Sequence, residues 1–404
     1  MKTVEPRKRR RAAKIAERDL RGWKMLARFE ELLERARARV EPGRRELHGL
    51  RRLGAGQYLR LFLLGVFNPM VNSMRALCAA SEFRRVQEHS GGPPVALSRF
   101  SEAQHVFDPE LLRHVMEELV EVGAGQLAAS RGGRGLDAGA LRIIDSTVWT
   151  VVPRMAWASY GAGRRGDAHG VRLHLRLRVG DAAPVGATLS CASRCERAEL
   201  RAHLQPGELL LGDRNFAEDY QLLDELVEKG CGFLFRLRKS ARLQWQSQEA
   251  LGAAEAAGAI TRAGRARLGR RARSGPWRVV VIEPTGREPV VLIASAHFEG
   301  LSAPEVAELY RRRWQVELFF RWLKCVLPCR HWFAESERGV SFQVYLSLIC
   351  ALLLAEALGR RPGKRLMEAL AFSQMGWASV DELQNAIERE WRESQRRAAR
   401  KKIA

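Results

Sequence analysis

Up to about residue 123 the apolar positions recur every three or four residues; from residue 141 they alternate with polar ones or form short runs. The change divides a helical first part from an α/β second part. In "DPELLRHVMEELVEV" (108–122), Leu111, Leu112, Val115, Met116, Leu119 and Val120 make one stripe, with Asp108 at the N-cap and Pro109 at the first helical position. "ALSRFSEAQHVF" (96–107) reads as a shorter polar helix after a Gly-Gly-Pro-Pro turn. Two helices around a tight turn suit a helix-turn-helix and a plain bundle equally.

Beyond 141, "LRIIDSTVWTVV" (141–152), "VRLHLRLRVG" (171–180) and "APVGATLSC" (183–191) read as strands, the last two forming a hairpin through Gly180 and Asp181. A short helix (198–204), a buried strand "ELLLGD" (208–213), a helix (219–230) and a strand "GFLFRLR" (232–238) follow. These make a mixed α/β sheet. Residues 240–288 interrupt it as a largely β insertion, rich in Arg, Ala and Gly, with one apolar strand "WRVVVIE" (277–283). "PVVLIAS" (289–295) then returns to the sheet. The chain is helical again from 336, where Leu383, Ile387 and Trp391 sit four apart on one side. That stripe suits packing on its own chain better than a partner surface.

Between sheet and tail, "LYRRRWQVELFFRWLK" (309–324) reads as one helix. At roughly 100° per residue, Tyr310, Arg313, Glu317 and Lys324 line one face, and Leu309, Val316, Phe319 and Leu323 line the opposite, buried face. One carboxylate among so many cations asks for a reason.

Charge narrows the class of partner. Lys+Arg 68 against Asp+Glu 46 leaves +22, which favours a polyanion, nucleic acid before membrane surface. The apolar runs 61–67 and 346–355 fall short of the roughly 20 residues of a span and read as buried helices. The basic start (1–22) lacks the pattern of a secretory signal and reads as a solvated arm, with or without a DNA contact. Seven scattered cysteines suit a reducing cytoplasm; the pairs 191/195 and 325/329 lack the second pair that a zinc site requires.

Three acids stand out. Asp145 lies inside a strand, where Asp is uncommon. Asp213 ends the run "LLLGD", at the carboxyl edge where open α/β sheets place ligands. Glu317 is the acid of the basic helix. Two strand acids and one helix acid are what a two-metal phosphoryl-transfer site needs, and carboxylates suit Mg²⁺ or Mn²⁺ better than zinc.

"IIDSTVW", "LLLGDRNFAEDYQLLDELVEKGCGFLFRLR" and "YRRRWQVELFFRWLK" together resemble the bacterial insertion-sequence DDE transposases of the insertion sequence four family. The last stretch matches that family's Tyr-x₂-Arg-x₃-Glu-x₆-Lys signature at Tyr310, Arg313, Glu317 and Lys324. The resemblance spans roughly residues 96–355. It implies a ribonuclease-H-like mixed-sheet catalytic core (139–335) with a β-rich insertion, between a helical DNA-binding domain (23–138) and a C-terminal helical region (336–404). It further implies that Asp145, Asp213 and Glu317 hold two Mg²⁺ ions, with Mn²⁺ as substitute, while Tyr310, Arg313 and Lys324 grip phosphates of the transposon end. Arg214, Asn215, Arg236 and Arg238 are further candidate DNA contacts, and His174 a supporting residue. Trp277 is the nearest ring to the place where relatives stack a flipped base. The expected activity is cut-and-paste transposition of double-stranded DNA by a cytoplasmic homodimer, with no membrane partner. A catalytically silent DNA-binding relative and a host nuclease of the same fold are the alternatives.

Overall fold

Ten strands line up in one sheet because the apolar residues of the second part alternate or form short runs, as buried pleated strands require. The computed structural model describes residues 23–68, 71, 73–128, 137, 139–151, 155–163, 166–269, 274–326, 332–358, 362–374 and 377–403; the expected basic arm 1–22 lies outside them. Two compact units divide the chain. One takes residues through Leu119 together with those from Trp322 onward, and the other takes Val120–Arg321.

The second unit holds the sheet. Its strands are β1 (Leu141–Thr150), β2 (Ser159–Gly163), β3 (Gly166–Arg178), β4 (Pro184–Cys191), β5 (Leu209–Gly212), β6 (Gly232–Leu237), β7 (Leu243–Gln248), β8 (Ile260–Leu268), β9 (Ser274–Ile282) and β10 (Val290–Ala294). The order β2-β3-β1-β5-β6-β10-β9-β8-β7, with β4 also on β3, places β1 at the centre of a ribonuclease-H-like core. β1 runs antiparallel to β3 and parallel to β5, and β5 parallel to β6. Leu209, Leu210 and Leu211 of β5 are buried, as a strand covered on both faces demands.

One expectation needs correcting. Residues 240–288 contain three strands rather than one, and these continue the main sheet through β10, which pairs with both β6 and β9. β7 is mostly exposed and polar, and β8 buries small residues such as Ala263 and Ala266, so neither carries a strong apolar alternation. The Arg262 guanidinium lies 3.9 Å from the Trp245 ring centroid and fastens β8 to β7.

Beneath the sheet, the helix Tyr220–Glu228 buries Leu222, Leu223 and Leu226 against Phe233, Phe235, Leu210 and Ile293. Asp219 caps it, accepting from Leu222 N at 3.2 Å.

In the first unit the helix Ala55–Phe67 packs on Glu337–Leu358 around Tyr58, whose ring meets Phe100 at 4.8 Å and Phe342 at 5.4 Å. Glu337–Leu358 is long and apolar enough to cross a membrane, but 72% of its apolar window is buried in the protein. Leu383 and Ile387, two of the three tail-stripe residues, are buried, on a helix (Val380–Ile403) that contacts Lys364–Gln374.

Phe233 is fully buried and meets the Trp277 ring at 5.1 Å. Phe233→Ala is expected to cost about 3–5 kcal/mol, read as a lower midpoint in urea unfolding with little change in slope. An unchanged midpoint would contradict the packing described.

Candidate active site

Register sets the approach to two of the acids. Ile143 on β1 pairs with Leu211 on β5, the last pair of that register, and Asp145 and Asp213 each follow two residues on, Asp145 within β1 and Asp213 just beyond β5. Neighbouring strands lie about 4.8 Å apart. The chain leaves β5 through Gly212, where a Cβ would press to 2.9 Å on the rings of Phe216 and Phe235; no larger residue fits without moving them. Asp213 then caps the short helix Arg214–Ala217, its Oδ1 accepting from Asn215 N at 2.9 Å.

Glu317 arrives from a different element than one long helix. The segment is two helices, Ala303–Arg311 and Trp314–Val326, with a turn at Arg312 and Arg313. Three-residue hydrogen bonds, such as Arg313 N to Tyr310 O at 2.9 Å and Val316 N to Arg313 O at 3.1 Å, tighten the backbone there. Ser302 and Glu305 form a capping box that starts the first helix. Across this turn Arg313 still interacts with both Tyr310 and Glu317, and Leu309, Val316 and Phe319 are buried as the periodicity predicts.

The turn aims Arg313 at the acids. Its Nη1 donates to Asp145 Oδ2 at 3.1 Å and its Nη2 to Glu317 Oε1 at 2.5 Å. One guanidinium thus ties the first acid to the third, reaching Asp145 from 168 residues away in sequence. Among the described residues no group of three or more His, Cys, Asp or Glu side chains stands ready to hold a metal ion. Arg313 is the cation bonded to Asp145 and Glu317.

Burial raises the pKa of Asp145 to about 7, against the opposing effects of the Ser146 N–H and Arg313. Burial also raises Asp213, and the charge of Glu196 adds to the rise. The Arg313 guanidinium is disfavoured by burial, but Tyr310, Glu317 and Asp145 more than compensate and raise its pKa. Tyr310 is pushed up to about 12 by burial, so its phenol keeps its proton.

The remaining expected residues fall in three places. Arg214 and Arg236 lie close enough for their charges to act on Asp213 and Tyr310 respectively, and Asn215 supplies the cap just described. Arg238 is ion-paired with Glu218. His174 pairs with Ser146 in the β1–β3 register and bonds Ser190 Oγ at 2.9 Å through Nε2; burial lowers its pKa. Lys324 occupies the last turn of Trp314–Val326, its pKa lowered by burial. Trp277, half-buried, packs edge-on against Phe233 and donates its indole N–H to Ser274 Oγ at 2.8 Å.

Glu196 was not foreseen. It begins the helix Glu196–Ala202 after β4 and accepts hydrogen bonds from Ser146 and Asn215, with Arg172 Nη1 at 3.1 Å. Nothing in "SCASRCERAEL" distinguishes this acid from an ordinary first-turn glutamate.

Residues 138–353 match the family model for the transposase DDE domain. The chain is a member of the DDE transposase family. It is 28% identical over 218 residues to the probable transposase for insertion sequence element IS5377 of Geobacillus stearothermophilus, covering 53% of this chain and 55% of that one. The putative transposase y4zB of Sinorhizobium fredii is 24% identical over 281 residues, 65% of this chain and 72% of that one. The putative transposase for insertion sequence element IS4SA of Synechocystis sp. is 31% identical over 83 residues, 20% of this chain and 25% of that one. The chain thus spans about half the length of the first of these relatives. A cryo-EM structure of a piggyBac transposase synaptic complex with hairpin DNA is similar at a TM-score of 0.42 and 9% identity, over 94% of this chain and 84% of that one.

Asp145 takes up a proton near pH 7 when folded and near about 3.9 when unfolded. Between those values the folded state binds more protons, so stability falls as pH rises from about 4 to 7 and is level above. Asp145→Asn removes this contribution. Its melting temperature relative to wild type, both metal-free, is expected to climb from about pH 5 to pH 7 and then flatten. A difference independent of pH would contradict the burial account.

Proposed function

We propose that this chain binds the ends of an insertion sequence of the insertion sequence four family, cuts them by two-metal phosphoryl transfer and joins the 3′-hydroxyl ends to target DNA. The observation that supports the reading is the Arg313 guanidinium between Asp145 and Glu317, with Asp145 and Asp213 each two residues past the last β1–β5 pair. The donors are all carboxylate oxygens, and two of them are short of charge compensation, since burial raises both Asp145 and Asp213. Such a set fits hard divalent ions, Mg²⁺ or Mn²⁺. When bound, the ions would activate the attacking oxygen and stabilise the leaving one.

The chain's own part is positioning and exchange of partners. Arg313 is held by acids in the metal-free protein; on the bound complex its guanidinium moves to a phosphate, releasing Asp145 and Glu317. Tyr310 stays protonated and donates a hydrogen bond to phosphate. Arg214, Asn215 and Arg236 line the same approach, Lys324 adds a further phosphate contact, and Arg238 joins them by leaving Glu218. The +22 net charge draws duplex DNA to the protein before any specific contact forms. Two copies bridging two DNA ends complete the reading, acting in a bacterial cytoplasm with no membrane involved.

The test uses duplex DNA carrying the terminal repeats that flank the gene. Asp145→Ala, Asp213→Ala and Glu317→Ala should each lower Mg²⁺-dependent cleavage by more than the roughly 100-fold that loss of an outer-shell partner costs, with binding in chelator retained. A variant cutting at the wild-type rate removes that residue from the triad. Wild-type protein that binds these ends and leaves them uncut under all metal conditions is a silent DNA-binding relative instead.

A further inference from the structure

Glu196 reaches two separate elements with its two carboxylate oxygens. Oε1 accepts from Ser146 Oγ and, at 3.1 Å, from Arg172 Nη1, while Oε2 accepts from the Asn215 side-chain amide. Ser146 is the residue after Asp145, and its N–H donates to Asp145 Oδ1 at 2.8 Å. Asn215 is the residue whose N–H holds Asp213 Oδ1. Each aspartate therefore accepts a backbone N–H from a residue one or two positions on, and the side chains of those two residues are fastened to the same glutamate.

The sheet alone does not supply this link. Paired register between β1 and β5 stops at Ile143 and Leu211, two residues short of the aspartates. Beyond that point two like-charged side chains face each other, and their repulsion favours splaying the strand ends apart. An ionised carboxylate accepting an O–H from one side and an N–H from the other opposes that motion with charge-assisted bonds. Arg172 compensates the charge: it also donates to Ser146 Oγ at 2.9 Å and is itself anchored on Ala192 O at 2.8 and 3.1 Å. With its side chain 17% exposed, Glu196 is more enclosed than a glutamate placed only to favour a helix start needs to be.

We propose that Glu196 is a positioning residue for the transposase reaction: it sets the spacing of Asp145 and Asp213 by clamping Ser146 and Asn215, and it does not touch the reacting atoms. The inference rests on the two-metal reading above, and it predicts loss of metal affinity and turnover without loss of DNA affinity.

The experiment uses the full chain as wild type, Glu196→Ala and Glu196→Gln. Free Mn²⁺ is followed by electron paramagnetic resonance, alongside cleavage of end-containing duplex, DNA affinity in chelator and melting temperature. Glu196→Ala is expected to weaken Mn²⁺ binding and lower kcat by about 10–100-fold, with KM for DNA and affinity in chelator unchanged. Glu196→Gln, which keeps the length and one acceptor, should recover part of both. Wild-type Mn²⁺ affinity and kcat in Glu196→Ala overturn the proposal. So does a loss shared equally by DNA affinity and melting temperature with no recovery in Glu196→Gln, which marks a general structural role. Wild-type protein that neither binds Mn²⁺ nor cuts overturns the two-metal reading itself, and the clamp with it.

Discussion

A buried carboxylate must have a cation or give up its charge, and this constraint organises the second unit of the protein. Asp145 sits where the balance is close: burial lifts its pKa to about 7 even with the Arg313 guanidinium 3.1 Å away. Arg313 stands at the turn between the two helices and donates to both Asp145 and Glu317. The turn is a local irregularity at the candidate site, as irregular backbone at functional sites often is.

The sheet does the rest of the placing. Parallel pairing of β1 with β5 brings the chain to within two residues of each aspartate. The apolar layer under β5 and β6, with Phe216, Phe233 and Phe235 as its largest members, keeps those strands from shifting. β10 on the far side of β6 ties in the insertion, so the added strands extend a single hydrogen-bonded sheet rather than hang from it. The same DDE transposase core thereby carries extra surface at no cost to the register at its centre.

Much of this was legible in the chain. Alternation marked β1, β3 and β4; the run of three leucines before Gly212 marked a buried strand; and the acids at 145, 213 and 317 stood out because each contradicted its surroundings. What escaped detection did so for physical reasons. β7 and β8 have too few large apolar residues to show a period, being exposed or built on alanine. The turn at Arg312 contains neither glycine nor proline, so no local signal interrupts the helical stripe. Glu196 joins residues 50 and 19 positions away, a relation that exists only after the sheet has formed.

The central claim is that one cation position is shared in turn by Arg313 and by divalent metal. A crystal structure of the protein with Mn²⁺ and end DNA, with anomalous density locating the metal, tests it directly. The account predicts Mn²⁺ on oxygens of Asp145, Asp213 and Glu317, with the Arg313 guanidinium withdrawn from both of its carboxylates and placed on a phosphate. Mn²⁺ bound elsewhere, with Arg313 still bridging Asp145 and Glu317, would contradict it.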